Sequence, residues 1–176
     1  ATIPNDTALF VSSSRPIRDL EGFAHPRGGV HTYANRGLAG IDGNISTALG
    51  VAYGHKATIA VLGDLSFLHD LTGLINKEEI NCRFIVINND GGGIFSTLPQ
   101  RGVNGFETVF GTPHGLNPAA IAQAMGVQAK QITSLKELEA EVKAPISGIS
   151  VVVCDVPDRE SNADTLKKVV VDISSI

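Results

Sequence analysis

The sequence predicts an α/β fold, a three-layer sandwich in which helices cover both faces of a mostly parallel central sheet. Four short apolar runs indicate buried strands, because strands of a parallel sheet are apolar on both faces: Ala8–Val11, Thr58–Leu62, Phe84–Ile87 and Ile149–Asp155. Segments of helical length and period lie between these runs, so strands and helices alternate along the chain. Polar residues and glycines follow the strands, which is where ligands bind in such sheets.

The N-terminal half of the chain begins with the strand Ala8–Val11. Hydroxyl side chains after it are expected to cap a short helix that begins at Pro16. Val30–Ala34 indicates an edge-like strand. Asn44–Tyr53 is predicted as a helix, since its apolar residues recur at i, i+3, i+4 and i+7, and Gly54 ends it.

The crossover between the two central strands is predicted as one helix over Ser66–Ile75. Its inward face is expected to consist of Leu68, Leu71, Leu74 and Ile75. A right-handed crossover makes the two strands parallel, so that their carboxyl ends lie at the same edge of the sheet.

The segment Ile94–Gly115 follows the second central strand and has neither helical nor strand periodicity. A stretch of that length without regular structure is typically a functional lid or a disordered loop. We therefore expect Leu98–Gly115 to be mobile without a ligand, and we expect Phe106 and Phe110 to dock when a ligand binds.

The C-terminal part of the chain continues the alternation of helix and strand. Asn117–Met125 is predicted as a helix with an Asn N-cap, and Val127–Ile132 as a weak strand. Ser134–Val142 is predicted as a helix that opens with a capping box. Its inward residues are expected to be Leu135, Leu138 and Val142. A last helix is expected over Asn162–Val169, followed by a tail over Val170–Ile176.

Composition and charge argue against several classes of function. The 176 residues suit one domain with a substantial core, and an apolar fraction of 43% disfavours disorder. The net charge is −4, and the 14 Lys and Arg residues form no basic block, so nucleic acid is not an expected partner. No apolar run approaches the ~20 residues of a membrane span, and no signal peptide is expected.

The cysteines and histidines suggest no metal site of the zinc type. Cys82 and Cys154 lie far apart in apolar, strand-like contexts and are expected to be buried free thiols. The five histidines show no metal-ligand spacing. A reducing, cytoplasmic location is the resulting expectation.

Polar side chains stand at the ends of the two central strands. Gly63-Asp64 follows the first strand, and Asn88-Asn89-Asp90 with three glycines follows the second. Because both ends lie at one edge of the sheet, the Asp64 carboxylate and the Asn89 amide oxygen are expected to lie close together. Glycines let backbone carbonyl groups approach a ligand closely. These groups suit Mg²⁺, which takes one or two carboxylates together with ligand phosphates and water.

The pair Gly63-Asp64 and Asn88-Asn89 resembles the cofactor motif of the thiamine diphosphate enzymes. The usual family pattern is Gly-Asp-Gly, and Leu65 stands here at the third position. Three further segments, ANRGLAGIDGNISTALG, NNDGGGIFSTLPQ and FETVFGTPHGL, resemble in order a branch of this family that acts in menaquinone biosynthesis. The resemblance covers Ala8 to Asp155 and implies a thiamine diphosphate-binding fold. It further implies that residues 1–176 form a single C-terminal, diphosphate-binding domain of a longer enzyme.

The resemblance implies a transferase that uses thiamine diphosphate with Mg²⁺ or Mn²⁺. Such an enzyme decarboxylates 2-oxoglutarate and adds the resulting carbanion to isochorismate. Its expected partners are a pyrimidine-binding domain of the same enzyme and further copies, as a homodimer or homotetramer. The activating glutamate belongs to the pyrimidine-binding domain, so no catalytic residue is expected in this chain.

Site residues are also implied by the resemblance. The metal ligands are expected to be Asp64, Asn89 and Gly91. The expected cofactor contacts are Gly40, Ile41, Gly63, Asp64, Leu65, Ser66, Asn89, Gly91 and Ile94. The expected substrate contacts are Ser14, Arg18, Arg36, Ile94, Phe95 and Leu98.

Two other functions remain open at this point. Another thiamine diphosphate enzyme, of the acetohydroxyacid synthase or pyruvate oxidase type, would carry Gly-Asp-Gly and lack FETVFGTPHGL. A non-catalytic α/β module that binds a ligand or a partner is the second alternative. In that case Asp64 would be only a helix N-cap, and Asn89 and Gly91 would be only turn residues.

Overall fold

A computed structural model describes residues 2–38, 40–75 and 78–174 and shows six strands in one sheet within these ranges. In chain order they are β1 (Ala8–Val11), β2 (Thr32–Tyr33), β3 (Thr58–Gly63), β4 (Cys82–Asn88), β5 (Gln128–Ile132) and β6 (Ile149–Asp155). Their order across the sheet is β2-β1-β3-β4-β6-β5, and every neighbouring pair is parallel. The predicted α/β class is therefore confirmed, and the described sheet is parallel throughout.

Helices connect the strands and cover both faces of the sheet. The described α-helices are α1 (Arg15–Phe23), α2 (Asn44–Tyr53), α3 (Asp64–His69), α4 (Pro118–Ala124), α5 (Leu135–Lys143) and α6 (Arg159–Ser174). Among the described helices, none is long and apolar enough to cross a membrane.

Each face of the sheet has its own apolar core, because successive strand residues point to opposite faces. Phe10 and Phe84 belong to the core under α2, α3 and α4. Their chain neighbours Leu9 and Ile85 belong to the core under α1 and α5. This alternation gives the three predicted layers, and it explains why the central strands are apolar at nearly every position.

The direction in which the chain crosses the sheet changes between β1 and β3, which are adjacent. From β1 the chain leads to β2 at the edge, as expected, and from β3 it leads the other way to β4. The segments that leave β1 and β3 therefore diverge at the carboxyl edge. Ligands of open α/β sheets typically bind in the crevice at such a point.

The prediction of one continuous helix over Ser66–Ile75 is wrong. Helix α3 ends at His69, and Leu71–Leu74 forms a separate 3₁₀ turn. At the break, the Asp70 carboxylate accepts hydrogen bonds from the amide (2.8 Å) and the hydroxyl (3.3 Å) of Ser46 in α2. A bond to a neighbouring helix thus fixes the end of α3.

Two residues predicted to point inward are exposed instead. Ile75 is 73% exposed and Leu135 is 72% exposed, whereas Leu74 is buried and Leu138 packs against the core. Ile75 follows the 3₁₀ turn and Leu135 is the first residue of α5. Terminal positions are not held in the register that the helical period assumes, so these two side chains turn outward.

The expectation that residues 94–115 lack regular structure is also wrong. A 3₁₀ turn begins at Phe95, and Glu107–Gly111 forms a π-helical turn. Phe106 is buried, and the ring centroid of Phe110 lies 5.8 Å from that of Phe106 and 5.3 Å from that of Phe95. The two rings expected to dock on ligand binding are already packed together in this structure.

Two of the predicted helix caps are confirmed, and two other helix ends differ from the prediction. The Asn117 side chain caps α4, and Ser134 forms the predicted capping box of α5. Ser14 occupies the N-cap of α1 with φ 74° but makes no side-chain capping bond. The last helix extends to Ser174, so the predicted tail from Val170 is helical up to that residue.

Cys82 and Cys154 are free and buried, as expected. Burial raises the pKa of the Cys82 thiol to about 12 and that of the Cys154 thiol to about 11. Both groups are therefore protonated near neutral pH, which suits core residues and not nucleophiles.

Candidate functional site

A cavity of about 440 Å³ lies at the carboxyl edge of the sheet, where the segments after β1, β3 and β4 face one another. Every residue that the resemblance assigns to the cofactor lies on its wall: Gly40, Ile41, Gly63, Asp64, Leu65, Ser66, Asn89, Gly91 and Ile94. The structure thus brings three separated motifs to one place. Their binding roles stay predictions.

The residues assigned to the substrate are only partly brought together. Ser14, Arg18 and Phe95 line the cavity beside Ile94, and the Arg18 guanidinium donates a hydrogen bond of 2.7 Å to the Ser14 carbonyl. Arg36 and Leu98 are exposed and lie outside the lining.

Asp64 is the buried acid of this wall, with 2% of its surface exposed. Its Oδ1 accepts a hydrogen bond from the Leu65 amide (2.7 Å). Its Oδ2 accepts bonds from the amides of Asn89 (3.2 Å) and Gly91 (2.8 Å). These donors compensate for the water that the buried carboxylate loses, and they join the loop after β3 to the loop after β4.

The glycines after Asp90 let two backbone segments touch. Gly91 has φ +131°, and a Cβ there would overlap the Gly111 carbonyl oxygen. The Gly92 amide donates a hydrogen bond of 2.8 Å to the same carbonyl. Gly93 leaves room for the Asn89 side-chain amide. Side chains at Gly91 and Gly92 would push residues 94–116 away from the cavity wall, and one at Gly93 would displace the Asn89 side chain.

His114 belongs to the site, although the sequence analysis assigned it no role. Its Nε2 lies 3.3 Å from Asp64 Oδ2, and 9% of its side chain is exposed. The amides of His114 (3.0 Å) and Gly115 (2.8 Å) donate to Asp90 Oδ1. The bond from the Gly115 amide is the main effect that holds the pKa of Asp90 below its usual value. Spacing between histidines could not indicate this residue, and its place in FETVFGTPHGL is the one signal that could have drawn attention to it.

Helix α6 fastens residues 94–116 from the outside. Glu160 accepts hydrogen bonds from the Ser96 hydroxyl (2.6 Å) and from Arg101 Nε (2.5 Å). Arg159 pairs with Glu107 across 2.7 Å. Single surface ion pairs contribute little, but bonds that share partners hold a segment more firmly. The turn that carries the cavity residue Phe95 is therefore supported by a helix that does not line the cavity.

Ser66 joins the first and second motifs. Its hydroxyl donates a hydrogen bond of 3.2 Å to the Ile41 carbonyl, and 2% of the residue is exposed. The half-buried side chains of Ile41 and Ile94 give the cavity an apolar side. The cavity thus has a polar side around Asp64 and an apolar side, as expected for a ligand with a charged tail and an aromatic ring.

The oxygen atoms of this wall fit a divalent metal that carries a diphosphate. Asp64 Oδ2 accepts bonds from the amides of Asn89 and Gly91 and has His114 Nε2 at 3.3 Å, whereas Oδ1 accepts one bond and keeps capacity for a metal. The Asn89 amide and the Gly91 carbonyl add neutral oxygens, which suit Mg²⁺. Among the described residues, no group of three or more His, Cys, Asp or Glu side chains could hold a metal. A metal here would therefore depend on these neutral oxygens.

Gly92→Ala is expected to displace residues 94–116 from the cavity wall. The new Cβ would overlap the Phe110 carbonyl oxygen and lie 2.9 Å from the Phe95 ring. We expect the free energy of unfolding to fall by about 1–3 kcal/mol, which is the typical cost of overpacking. We also expect hydrogen exchange of the backbone amide at position 92 to become faster. Urea denaturation and hydrogen exchange measure the two effects.

Gly50→Ala is the matched control, because a Cβ at Gly50 in α2 meets no atom within 4 Å. Alanine favours a helix, so this variant should be as stable as the wild type or more stable. Equal stability of the Gly92→Ala variant and the wild type would show that the contact with Phe110 is not tight.

Comparison with known proteins agrees with this geometry. The sequence model of the C-terminal TPP binding domain of thiamine pyrophosphate enzymes matches residues 20–156. A 2-succinyl-5-enolpyruvyl-6-hydroxy-3-cyclohexene-1-carboxylate synthase of Thermobifida fusca is 46% identical over 135 residues, which are 72% of this chain and 24% of that protein. The synthase of the same name from Bacillus cytotoxicus is 41% identical over 173 residues, 94% of this chain and 29% of that protein.

The X-ray structure of a thiamin diphosphate-dependent enzyme from Mycobacterium smegmatis has the same fold. It aligns with a TM-score of 0.64 at 23% identity over 89% of this chain and 30% of that chain. The chain spans between 24% and 29% of the length of the two synthases. The resemblance to this enzyme family, and to the branch that the three further motifs indicated, is confirmed. The chain belongs to the thiamine pyrophosphate enzymes, as their C-terminal TPP binding domain.

Proposed function

We propose that this chain holds Mg²⁺ (or Mn²⁺) and the diphosphate of thiamine diphosphate in a synthase of menaquinone biosynthesis. That enzyme would decarboxylate 2-oxoglutarate and add the remaining four-carbon unit to isochorismate. One observation carries the proposal: the Asp64 carboxylate is hydrogen-bonded to the amides of Asn89 and Gly91 at the cavity wall. The two halves of the cofactor motif therefore meet at one point. The names of the two synthases support the choice of product.

The metal ligands in this proposal are Asp64, Asn89 and the carbonyl of Gly91. The diphosphate would lie against Gly63, Leu65 and Ser66, which leave the end of β3 on the same wall. Divalent metals commonly bind proteins through one or two carboxylates and complete their shell with substrate phosphates and water. The single buried carboxylate of this wall agrees with that pattern.

The rings of the cofactor would lie on the apolar side of the cavity. Ile41 is half-buried, and its branched side chain suits a wedge that keeps the two rings bent toward each other. Gly40 precedes it on the same wall and offers a carbonyl to the pyrimidine amine. Ile94 faces the cavity from the loop after β4.

Ser14 and Arg18 are proposed to bind a substrate carboxylate, since a guanidinium offers a paired set of donors to that group. Phe95 would cover the apolar part of the substrate. The proposal does not use Arg36 or Leu98, because both lie outside the cavity lining.

When bound, thiamine diphosphate supplies the electron sink that cleavage of the bond to CO₂ requires. The residues of this chain bind, orient and shield; none of them is proposed as the general acid or base. The activating glutamate is proposed to lie in a pyrimidine-binding domain, within a homodimer or homotetramer.

A missing general acid or base alone typically costs about 10²–10⁴-fold in rate. The chain by itself should therefore show no turnover. It should also bind the cofactor weakly or not at all, because the domain proposed to hold the pyrimidine ring is not part of it. A reducing, cytoplasmic setting is part of this proposal, supported by the two buried free thiols.

The experiment is release of CO₂ from 2-oxoglutarate with isochorismate present, measured for the full-length enzyme and for this chain alone. We expect turnover only in the full-length enzyme. Pyruvate replaces 2-oxoglutarate in a parallel assay, and preference for pyruvate would favour an enzyme of the acetohydroxyacid synthase or pyruvate oxidase type. Full turnover by this chain alone would contradict a site divided between two domains. Failure of both forms to bind thiamine diphosphate would favour the non-catalytic module.

A further inference from the structure

Both ring nitrogens of His114 are engaged, and their partners fix the position of the ring proton. The Leu116 amide donates a hydrogen bond of 3.0 Å to Nδ1. An amide can only donate, so Nδ1 accepts. Asp90 Oδ1 lies 3.6 Å from Nδ1, beyond hydrogen-bond distance, so it does not compete for a proton there, and the proton of the neutral ring lies on Nε2. Nε2 lies 3.3 Å from Asp64 Oδ2 and donates to it.

The ring is held in this orientation by the backbone around it. The amides of His114 and Gly115 both donate to Asp90 Oδ1, at 3.0 and 2.8 Å. Asp90 follows Asn89 directly, so the segment that carries His114 is attached to the same loop that presents Asn89 and Gly91. With only 9% of its side chain exposed, the histidine has little space for another orientation.

The donors around Asp64 distinguish its two oxygens. Oδ2 accepts from two amides of the loop after β4 and from His114, whereas Oδ1 accepts from the Leu65 amide alone. A carboxylate oxygen offers about two lone-pair directions. Oδ2 is therefore saturated, and Oδ1 is the atom left for a metal. Among the described donors to Asp64, His114 is the one side chain, and it reaches the carboxylate from residues 94–116.

We propose that His114 is a positioning residue for the metal ligand Asp64: its Nε2–H holds Oδ2, so that Oδ1 is presented to the metal. The inference rests on the proposed function, because it takes Asp64 as a metal ligand. It adds a link between residues 94–116, which carry the apolar cavity residues Ile94 and Phe95, and the metal. Removing a residue that hydrogen-bonds to a metal ligand typically lowers metal affinity by about 10–100-fold.

The test measures binding of Mn²⁺ to this chain by NMR. The unpaired electrons of Mn²⁺ broaden the signals of nearby amides even when affinity is low. His114→Gln places an N–H donor near the position of Nε2. His114→Met has similar length and no donor. Both variants lose the bond from the Leu116 amide, so a difference between them in Mn²⁺ affinity reports the donor to Asp64. Asp64→Ala tests the metal site itself.

We expect His114→Met to bind Mn²⁺ at least about tenfold more weakly than the wild type, and His114→Gln to retain most of the affinity. Nitrogen shifts of the wild-type ring should show the proton on Nε2. Equal affinities of the two His114 variants, or a ring proton on Nδ1, would overturn the positioning role while Asp64→Ala still abolished the broadening. If Asp64→Ala left broadening of the Asn89 and Gly91 amides unchanged, the metal site of the proposed function would itself be wrong.

Discussion

Replacing Asp64 with alanine is expected to abolish binding of Mg²⁺–thiamine diphosphate by the enzyme that contains this domain. The change removes the buried carboxylate of the cavity wall and leaves the amides of Leu65, Asn89 and Gly91 without an acceptor. The loops after β3 and β4 would lose the bonds that join them, so the neutral oxygens proposed as metal ligands would be displaced as well. Calorimetric titration of the full-length enzyme with cofactor and Mg²⁺ measures the effect.

Asp70→Ala is the control for that experiment. Asp70 is likewise an acceptor for backbone and side chain, from Ser46, but it lies outside the cavity. We expect this variant to bind the cofactor normally, even where stability falls by about 1 kcal/mol from the lost hydrogen bonds. Wild-type cofactor affinity of the Asp64→Ala enzyme would place the diphosphate elsewhere and refute the proposed site.

Arg83→Met is expected to lower the free energy of unfolding by about 3 kcal/mol, since hydrogen bonds of a charged group contribute about 1.5–3 kcal/mol each but are not additive. Arg83 lies in β4 and is 8% exposed. Its guanidinium donates to the carbonyl groups of Glu141, Ala144 (3.0 Å) and Pro145 (2.9 Å). These groups surround the C-terminus of α5, where carbonyl groups lack helical partners and a positive charge is favourable. Methionine replaces the apolar stem of the side chain but not its guanidinium, so these acceptors are left unpaired.

Urea denaturation of the chain measures the free energy of unfolding. If the slope of that free energy against urea concentration is unchanged, only stability has changed. Lys143→Met removes a positive charge from the same helix end, but that side chain is 58% exposed and pairs only loosely with Glu139 (3.7 Å). The control should therefore change stability by less than about 0.5 kcal/mol. Equal effects of the two variants would mean that the contacts of Arg83 do not support α5.

The parts of the fold that were predictable are those governed by local chemistry. Apolar runs predicted the central strands, and Gly63-Asp64 with Asn88-Asn89 predicted the edge of the sheet at which the cavity lies. Caps at Asn117 and Ser134 were predictable because a cap depends on residues within three positions of it. The alternation of strand and helix then limited the topology to a parallel sheet.

The features that were missed depend on contacts distant in sequence or on unusual periods. His114 meets Asp64 across 50 residues, and no local pattern indicates such a bond. Helix α3 ends where Asp70 binds Ser46 of another helix. The turn Glu107–Gly111 is π-helical, and its i to i+5 bonds match neither the helical nor the strand period. The search for helical periodicity therefore predicted no helix at Glu107–Gly111, although this turn has a regular hydrogen-bond pattern.

Helix α6 has a consequence for exchanging this domain between enzymes. It begins at Arg159, beyond the residues 20–156 that the family sequence model matches, yet Glu160 and Arg159 fasten the segment that carries Phe95. A chimaera joined at the family boundary would inherit the groups proposed for the metal and the diphosphate without the helix that supports the outer wall. Retention of the cofactor and discrimination between substrates would then become separable traits. The portion that can be transplanted as a working unit is therefore longer than the portion that sequence similarity recognises.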